Sequence, residues 1–165
     1  MSDGDGSCPG REDGFDLLSD VREHGLKGAF DLTVVPVVDV HFAIEKLRTG
    51  NLDGAIKLAE SAIKELLETG HTIWLGVATT VLVEALILRR AERDAHEAQA
   101  AIDRLAEVSA EPGFVLFDVP LLRLRALLSR AHGDETGYRD YRDRYRDMAR
   151  TLGFEGHMAW AEAMP

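Results

Sequence analysis

The sequence predicts an all-α fold of about three helical hairpins, with a short N-terminal and a short C-terminal helix. Three observations predict it. Apolar residues recur every three and four positions along most of the chain, glycines mark where each stripe stops, and two of the turns so marked have similar sequences. The clearest stripe is Ala55, Ile56, Ala59, Ala62, Ile63, Leu66 and Leu67. Lys57, Glu60, Lys64, Glu65 and Glu68 take its other side, the pattern of an amphipathic helix.

The elements follow in order. Met1–Gly14 (MSDGDGSCPGREDG) is polar and glycine-rich with no apolar period, and is expected to be a disordered tail. Residues 15–165 then form one domain. Phe15, Leu17, Leu18 and Val21 share roughly one side of a short helix over Phe15–His24, with Gly25 placed to end it. Gly28–Val35 reads as an extended connector. Val37–Thr49 reads as a helix, with Pro36 tolerable in its first turn because an N–H there has no intrahelical partner. Gly50 ends that helix. Asn51 or Asp53 can cap the next by accepting from its free N–H groups, and Gly70 closes it.

Thr72–Arg90 is apolar nearly all round, as a helix covered on several sides would be. Its apolar run, Ile73–Leu88, is short for a bilayer span and is interrupted by Gly76, Glu84 and two threonines, so it reads as a core helix. Its partner runs from about Arg93 to Ser109, with Ala98, Ala101, Ile102, Leu105 and Val108 inward. Pro112-Gly113 marks a loop. A helix then starts near Asp118 as its cap, carries Pro120 just inside with Leu121, Leu124, Leu128 and Ala131, and ends at Gly133. Asp134 caps another, which places Tyr138, Tyr141, Tyr145, Met148 and Leu152 on one face and stops at Gly153. Gly156–Met164 reads as a short closing helix.

Composition narrows the function classes. At 165 residues the chain has one domain's length and can bury a core. Apolar residues at 45% and charged residues at 29% suit a folded protein, not a disordered one. The net charge of −10, with no long basic run, argues against nucleic acid and anionic membranes, which are bound through Lys and Arg. Cys8 is the single cysteine, so no internal disulfide can form, and it reads as an exposed thiol in the tail. No secretory pattern appears in Met1–Gly14, and a reducing, cytoplasmic location is expected.

The turns repeat. RTGNLDGAI at 48–56 is similar to AHGDETGYR at 131–139, and RRAERDAHEAQAAI at 89–102 lies between them. The turn positions Gly50, Ala91 or Glu92, and Gly133 are separated by about 41 to 43 residues, a spacing that suggests an α-solenoid. GNLDGAIKLAESAI resembles the second half of a tetratricopeptide (TPR) repeat through Gly50, Asn51, Leu52, Ala55, Ile56 and Ala62. Small residues at 55 and 62 would let paired helices approach to the usual separation of about 8–10 Å. The first half of the repeat departs from the pattern: its Trp, Leu, Gly and Tyr positions fall near Asp39, Phe42, Ala43 and Lys46, and the period is longer than the usual 34. The resemblance is to the longer, irregular TPR-like repeats of bacterial signalling ATPases.

A second resemblance covers most of the chain after Gly10. DVPLLRLRALLSRAHGDETGYRDYRDRYRDMARTLGFEGHMAWAEAMP (118–165) and GREDGFDLLSDVREHGLKGAFDLTVVPVVDVHFA (10–43) resemble the C-terminal tail of large mycobacterial-type regulators. Those regulators join a class III adenylate cyclase to a P-loop ATPase and a helical repeat tail. The resemblance implies the tail's regulatory or assembly role alone, because no G-x-x-x-x-G-K-[ST] loop and no βαβ cyclase pattern occurs in these residues.

No reactive constellation emerges. The six histidines (24, 41, 71, 96, 132, 157) include no i, i+4 pair and no HExxH, so no metal site is expected. GDGSCPG at 4–10 neither follows a strand nor opens a helix, and Ser7, Ser19, Ser61, Ser109 and Ser129 lack a nucleophile-elbow context. The tyrosine stripe reads as a core face with hydroxyls reaching its edge. Arg139–Asp143 and Asp140–Arg144 read as i, i+4 surface pairs. Three acids interrupt apolar helices: Asp39, Glu84 and Asp118. Glu84 should face a polar groove or pair with Arg89, Arg123 or Arg125, since an unpaired buried carboxylate is costly.

The expectation is a non-catalytic interaction or regulatory module without a cofactor. In a hairpin repeat the first helices line the concave side, here Val37–Thr49, Thr72–Arg90 and Val119–His132. Asp39, Phe42, Trp74, Glu84, Phe117 and Arg123 would bind a protein segment there, or the parent regulator's own domains. Two other readings stay open: a small-molecule sensor built on a closed apolar pocket containing Glu84, and self-association through the exposed ends of the repeat.

Overall fold

The computed structural model describes residues 11–27, 34–109 and 115–164. Among these residues the chain forms eight α-helices and no strand: α1 (Arg11–Leu26), α2 (Val34–Arg48), α3 (Leu52–Thr69), α4 (Leu75–Arg89), α5 (Asp94–Val108), α6 (Val115–Ala131), α7 (Glu135–Leu152) and α8 (Glu155–Ala163). A single 3-10 turn, Thr72–Trp74, leads into α4. The all-α expectation is met. Met1–Gly10, with Cys8, and the Pro112-Gly113 loop lie outside the described residues, whereas Arg11–Gly14, expected in the disordered tail Met1–Gly14, form the first turn of α1.

Each helix packs on the next, from α1 through α8, and α4 also contacts α2 and α6. The apolar segment Thr72–Arg89 is long and apolar enough to cross a membrane by composition, yet it lies at the centre of this packing. Leu75, Ala78, Val81, Leu82, Val83, Ala85 and Leu86 are all under 5% exposed. Each large aliphatic side chain buried this way contributes about 1.5–3 kcal/mol. The small residues sit at the helix crossings: Ala43, Ala55, Ala59, Ala62, Ala78, Ala85 and Ala98 expose nothing.

The two similar turns take the same shape. Gly50 and Gly133 adopt φ of +79° and +76°, a left-handed conformation that side chains disfavour. Asn51 and Asp134 follow with almost equal dihedrals, and each side chain caps its helix by accepting from the N–H of Gly54 or Gly137, at 3.0 and 2.9 Å. The third residue of each helix must be small, because a Cβ at 54 or 137 would strike the capping side chain. The middle turn uses different chemistry. Arg90 itself is left-handed, at φ +56°, and buried Asp94 accepts from the N–H of Ala91 at 2.7 Å. Arg89 grips Asp94 through two nitrogens, at 3.0 and 2.6 Å, and reaches Asp53 of α3 at 2.8 Å. Arg89 therefore ties three helices together and is spoken for by Asp94 and Asp53.

Several expectations need correction. The segment expected to be extended up to Val35 is already helical at Val34, with Val35 and Pro36 buried. Gly25 does not end a helix: α1 runs to Leu26, and a Cβ at 25 would lie 2.9 Å from the Val35 side chain, so the glycine serves close approach. Asp118 is not a cap, because α6 begins at Val115; its carboxylate accepts from Ser109 at 3.2 Å. Asp53 leaves the capping of α3 to Asn51. Asp143 pairs with Arg142 and Arg146, at 3.0 and 3.2 Å, in place of Arg139, while the Asp140–Arg144 pair forms at 3.3 Å. Of the tyrosine stripe, Tyr138 and Tyr145 are buried, Tyr141 and Met148 partly so, and Leu152 is exposed.

Candidate functional site

The candidate residues do not line one common groove. Asp39 and Phe42 lie beneath α1: Arg22 donates to Asp39 at 2.5 Å, and the Phe15 and Phe42 rings sit 5.6 Å apart. Asp39 is 2% exposed, so the pair anchors α1 on α2 and withholds the carboxylate from solvent, while the Arg22 side chain stays 37% exposed. Phe117 is 1% exposed and belongs to the main core. Trp74 is half-buried at the entry to α4, with the His41 ring edge-on at 5.5 Å.

Glu84 and Arg123 do come together. Arg123 of α6 donates from Nη1 to Glu84 Oε1 of α4, resolving the partner of Glu84 among the three expected arginines. Both side chains are mostly covered, at 26% and 19% exposure. The Arg123 guanidinium also lies over the Trp160 ring of α8, 5.5 Å from its centroid. Its Nε is buried and has no hydrogen-bond partner among the described residues.

α8 completes this surface. Gly133 and Gly153 turn the chain on either side of α7, and α8 folds back against α7. His157 and Trp160, three residues apart, share one face of α8 and pack edge-on at 5.1 Å. The Tyr145 hydroxyl lies 2.8 Å from His157 Nδ1. Burial pushes the Tyr145 hydroxyl up to about 12, against the opposing charge of Arg123 and with help from Glu84. Burial, joined by Arg123, holds the His157 imidazole below its ordinary value, which favours the neutral ring. The expectation missed both α8 residues, although their i, i+3 spacing was a signal that they share a face.

Between the start of α4, α6 and α8 runs an open apolar cleft of about 210 Å³, lined by Ile73, Gly76, Val77, Thr80, Leu116, Phe117, Pro120, His157 and Trp160. A side chain at Gly76 would meet the Phe117 ring at 3.1 Å, so the glycine lets α6 lie close to α4 here. Ile73, Val77, Leu116 and Trp160 are 64, 39, 47 and 54% exposed, an unusual concentration of large apolar surface. Glu84 does not line this cleft.

Among the described residues, no three His, Cys, Asp or Glu side chains converge on a point that could hold a metal ion. Comparison with known proteins finds no family model, no curated protein and no solved structure that matches this chain.

Proposed function

We propose that this chain is a non-catalytic, TPR-like helical-repeat module that binds an apolar segment of a protein partner in the cleft between α4, α6 and α8. The observation that carries this reading is the cluster of exposed large apolar side chains, Ile73, Val77, Leu116 and Trp160, beside the Glu84–Arg123 pair. The apolar area supplies affinity and the paired charges fix register, as in helix-in-groove recognition. The repeat reading draws support from α2, α4 and α6, which touch in series while α3, α5 and α7 each follow one of them, and from the equal geometry of the turns at Gly50 and Gly133. By resemblance, the module would act as the regulatory tail of a cyclase or ATPase regulator in the cytoplasm, with that regulator's own domains among its partners.

The test compares wild type with Val77→Asp in capture from an extract of the source cell. Val77 is 39% exposed and lies outside the core cluster, so the aspartate disturbs the cleft without unfolding the protein. Arg123→Ala is less clean, since Arg123 also holds Glu84 and Trp160. Loss of a partner from Val77→Asp, at unchanged melting temperature, supports the reading. Capture of the same partners by both proteins removes the cleft from consideration.

A further inference from the structure

A second cleft, on surface that the proposed partner does not use, has the chemistry of a small-molecule site. α3 and α5 both pack on α4, and a space of about 340 Å³ opens where the three helices meet. That volume falls within the range of about 300–1,000 Å³ typical of small-ligand sites. Its lining includes Ile63, Leu75, Leu82 and Leu105, all under 10% exposed although they face the opening. The slot is therefore narrow. It admits a slender chain and excludes a helix, whose diameter with side chains is about 10–12 Å.

Two donors line the slot with hydrogen-bonding capacity to spare. Thr79 is 2% exposed and lines the cleft, and its hydroxyl makes no hydrogen bond to another described residue. Its oxygen is not among the buried atoms left without a partner, so it meets solvent through the cleft, where a ligand's polar group can take the place of water. Arg104 stands on the rim with one hydrogen bond, from Nε to the Ala100 carbonyl of its own helix at 3.3 Å, and no carboxylate partner among the described residues. The other rim charges are Glu60, Lys64 and Glu68; Lys64 lies 3.9 Å from Glu68. Lys64 and Glu68 offset each other, and among the described residues Arg104 has no carboxylate partner, Glu60 being the remaining charge of the rim.

We propose that this slot binds an unbranched carboxylate amphiphile, of the class of a medium-chain fatty acid. The alkyl chain lies on the leucine and isoleucine floor, and the carboxylate accepts from Arg104 and from the Thr79 hydroxyl. This inference does not depend on the partner cleft, because it involves none of that cleft's residues.

Titration calorimetry with decanoate, kept below its micellar concentration, tests the proposal, with 1-decanol as the neutral control. Saturable one-to-one binding of decanoate to wild type is expected. Arg104→Gln should weaken it about tenfold while leaving decanol binding unchanged, and Thr79→Val should weaken decanoate by a smaller factor. Ala101→Leu, which fills the slot, should abolish both. If Ala101→Leu melts below wild type, Leu67→Glu, which sets a like charge on the rim at a 41% exposed position, should weaken decanoate far more than decanol. Absence of saturable decanoate binding to wild type overturns the proposal. So does equal decanoate affinity in wild type and Arg104→Gln, or decanoate binding undiminished in both slot variants.

Discussion

The Tyr145 hydroxyl and the imidazole of His157 lie 2.8 Å apart and join α7 to α8 at the edge of the cleft between α4, α6 and α8. The bond places a titratable ring among Tyr145 of α7, Arg123 of α6 and the rings of Phe154 and Trp160. Among the described residues nothing acidic bonds to His157, and Glu84, whose charge acts on Tyr145, is taken up by Arg123.

The docking of α8 should therefore weaken on acidification. Burial and Arg123 lower the His157 value in the folded state, so the unfolded state binds the proton more readily. Stability from this group is complete above the ordinary histidine value of about 6.5 and declines as pH falls below it, until the depressed folded value is passed. Trp160 fluorescence and the melting temperature, followed from pH 8 to 5.5, should fall together. His157→Asn should flatten both curves over that range. An unchanged slope in the variant assigns the effect to another group.

Glu84 and Arg123 should be strongly coupled. Removing either leaves the other charge mostly covered and unpartnered, at a cost of about 1–3 kcal/mol. Replacing both by apolar side chains of similar size removes that penalty. Glu84→Leu and Arg123→Met should each lower the melting temperature, and the double variant should lower it by clearly less than the sum. Denaturant titration of the four proteins measures the coupling directly. Additive losses would show that each residue acts alone, with Trp160 the main partner of Arg123.

Asp94 should matter more than its place in a surface turn suggests. It is 2% exposed, accepts from the Ala91 N–H, and receives two bonds from Arg89. The Arg89 guanidinium holds its carboxyl below the usual carboxylate range. That contribution is present above about pH 4 and is lost as pH falls through the depressed value. Asp94→Ala should destabilise the protein by about 2–3 kcal/mol, the scale of charged hydrogen bonds lost from a covered site. Asp53→Ala, which removes only an exposed arm of the same network, should cost under about 1 kcal/mol. Equal losses in chemical denaturation would refute the ranking.

Local chemistry was legible where a helix end depends on its own residues. Asn51 and Asp134 cap, and Gly70 and Gly153 close, because an accepting side chain or a left-handed residue acts within one turn of chain. The partner of Glu84 could be narrowed to three arginines, because burial demands a pair, but choosing Arg123 required the crossing of α4 and α6. Asp118 shows the limit. It has a capping residue's chemistry, yet the chain before it is apolar enough to extend α6 back to Val115. Asp39 is the same lesson in the candidate site: an acid in an apolar helix signals a ligand or a partner, and α1 supplies the partner through Arg22. The cleft of α8 was the least visible, because it needs three helices distant in sequence to meet.

Gly25 gives the sharpest separation of local from tertiary effects. Within a helix, replacing glycine by alanine should stabilise by about 0.5–1 kcal/mol through lower chain entropy. Here the added Cβ would stand 2.9 Å from Val35 Cγ2, and a β-branched valine in α2 has little rotamer freedom to yield. Overpacking of this kind costs about 1–3 kcal/mol, so the net sign should be destabilising. The loss should be confined to α1, which packs on α2 and is held there by Arg22–Asp39 and Phe15–Phe42. Hydrogen exchange in Gly25→Ala should therefore quicken over Arg11–Leu26 and remain as in wild type over α4 and α6. Pairing the change with Val35→Ala should restore protection of α1 by removing the clash. A stabilised α1 in the single variant would mean that the α1–α2 contact is looser than the 2.9 Å approach requires.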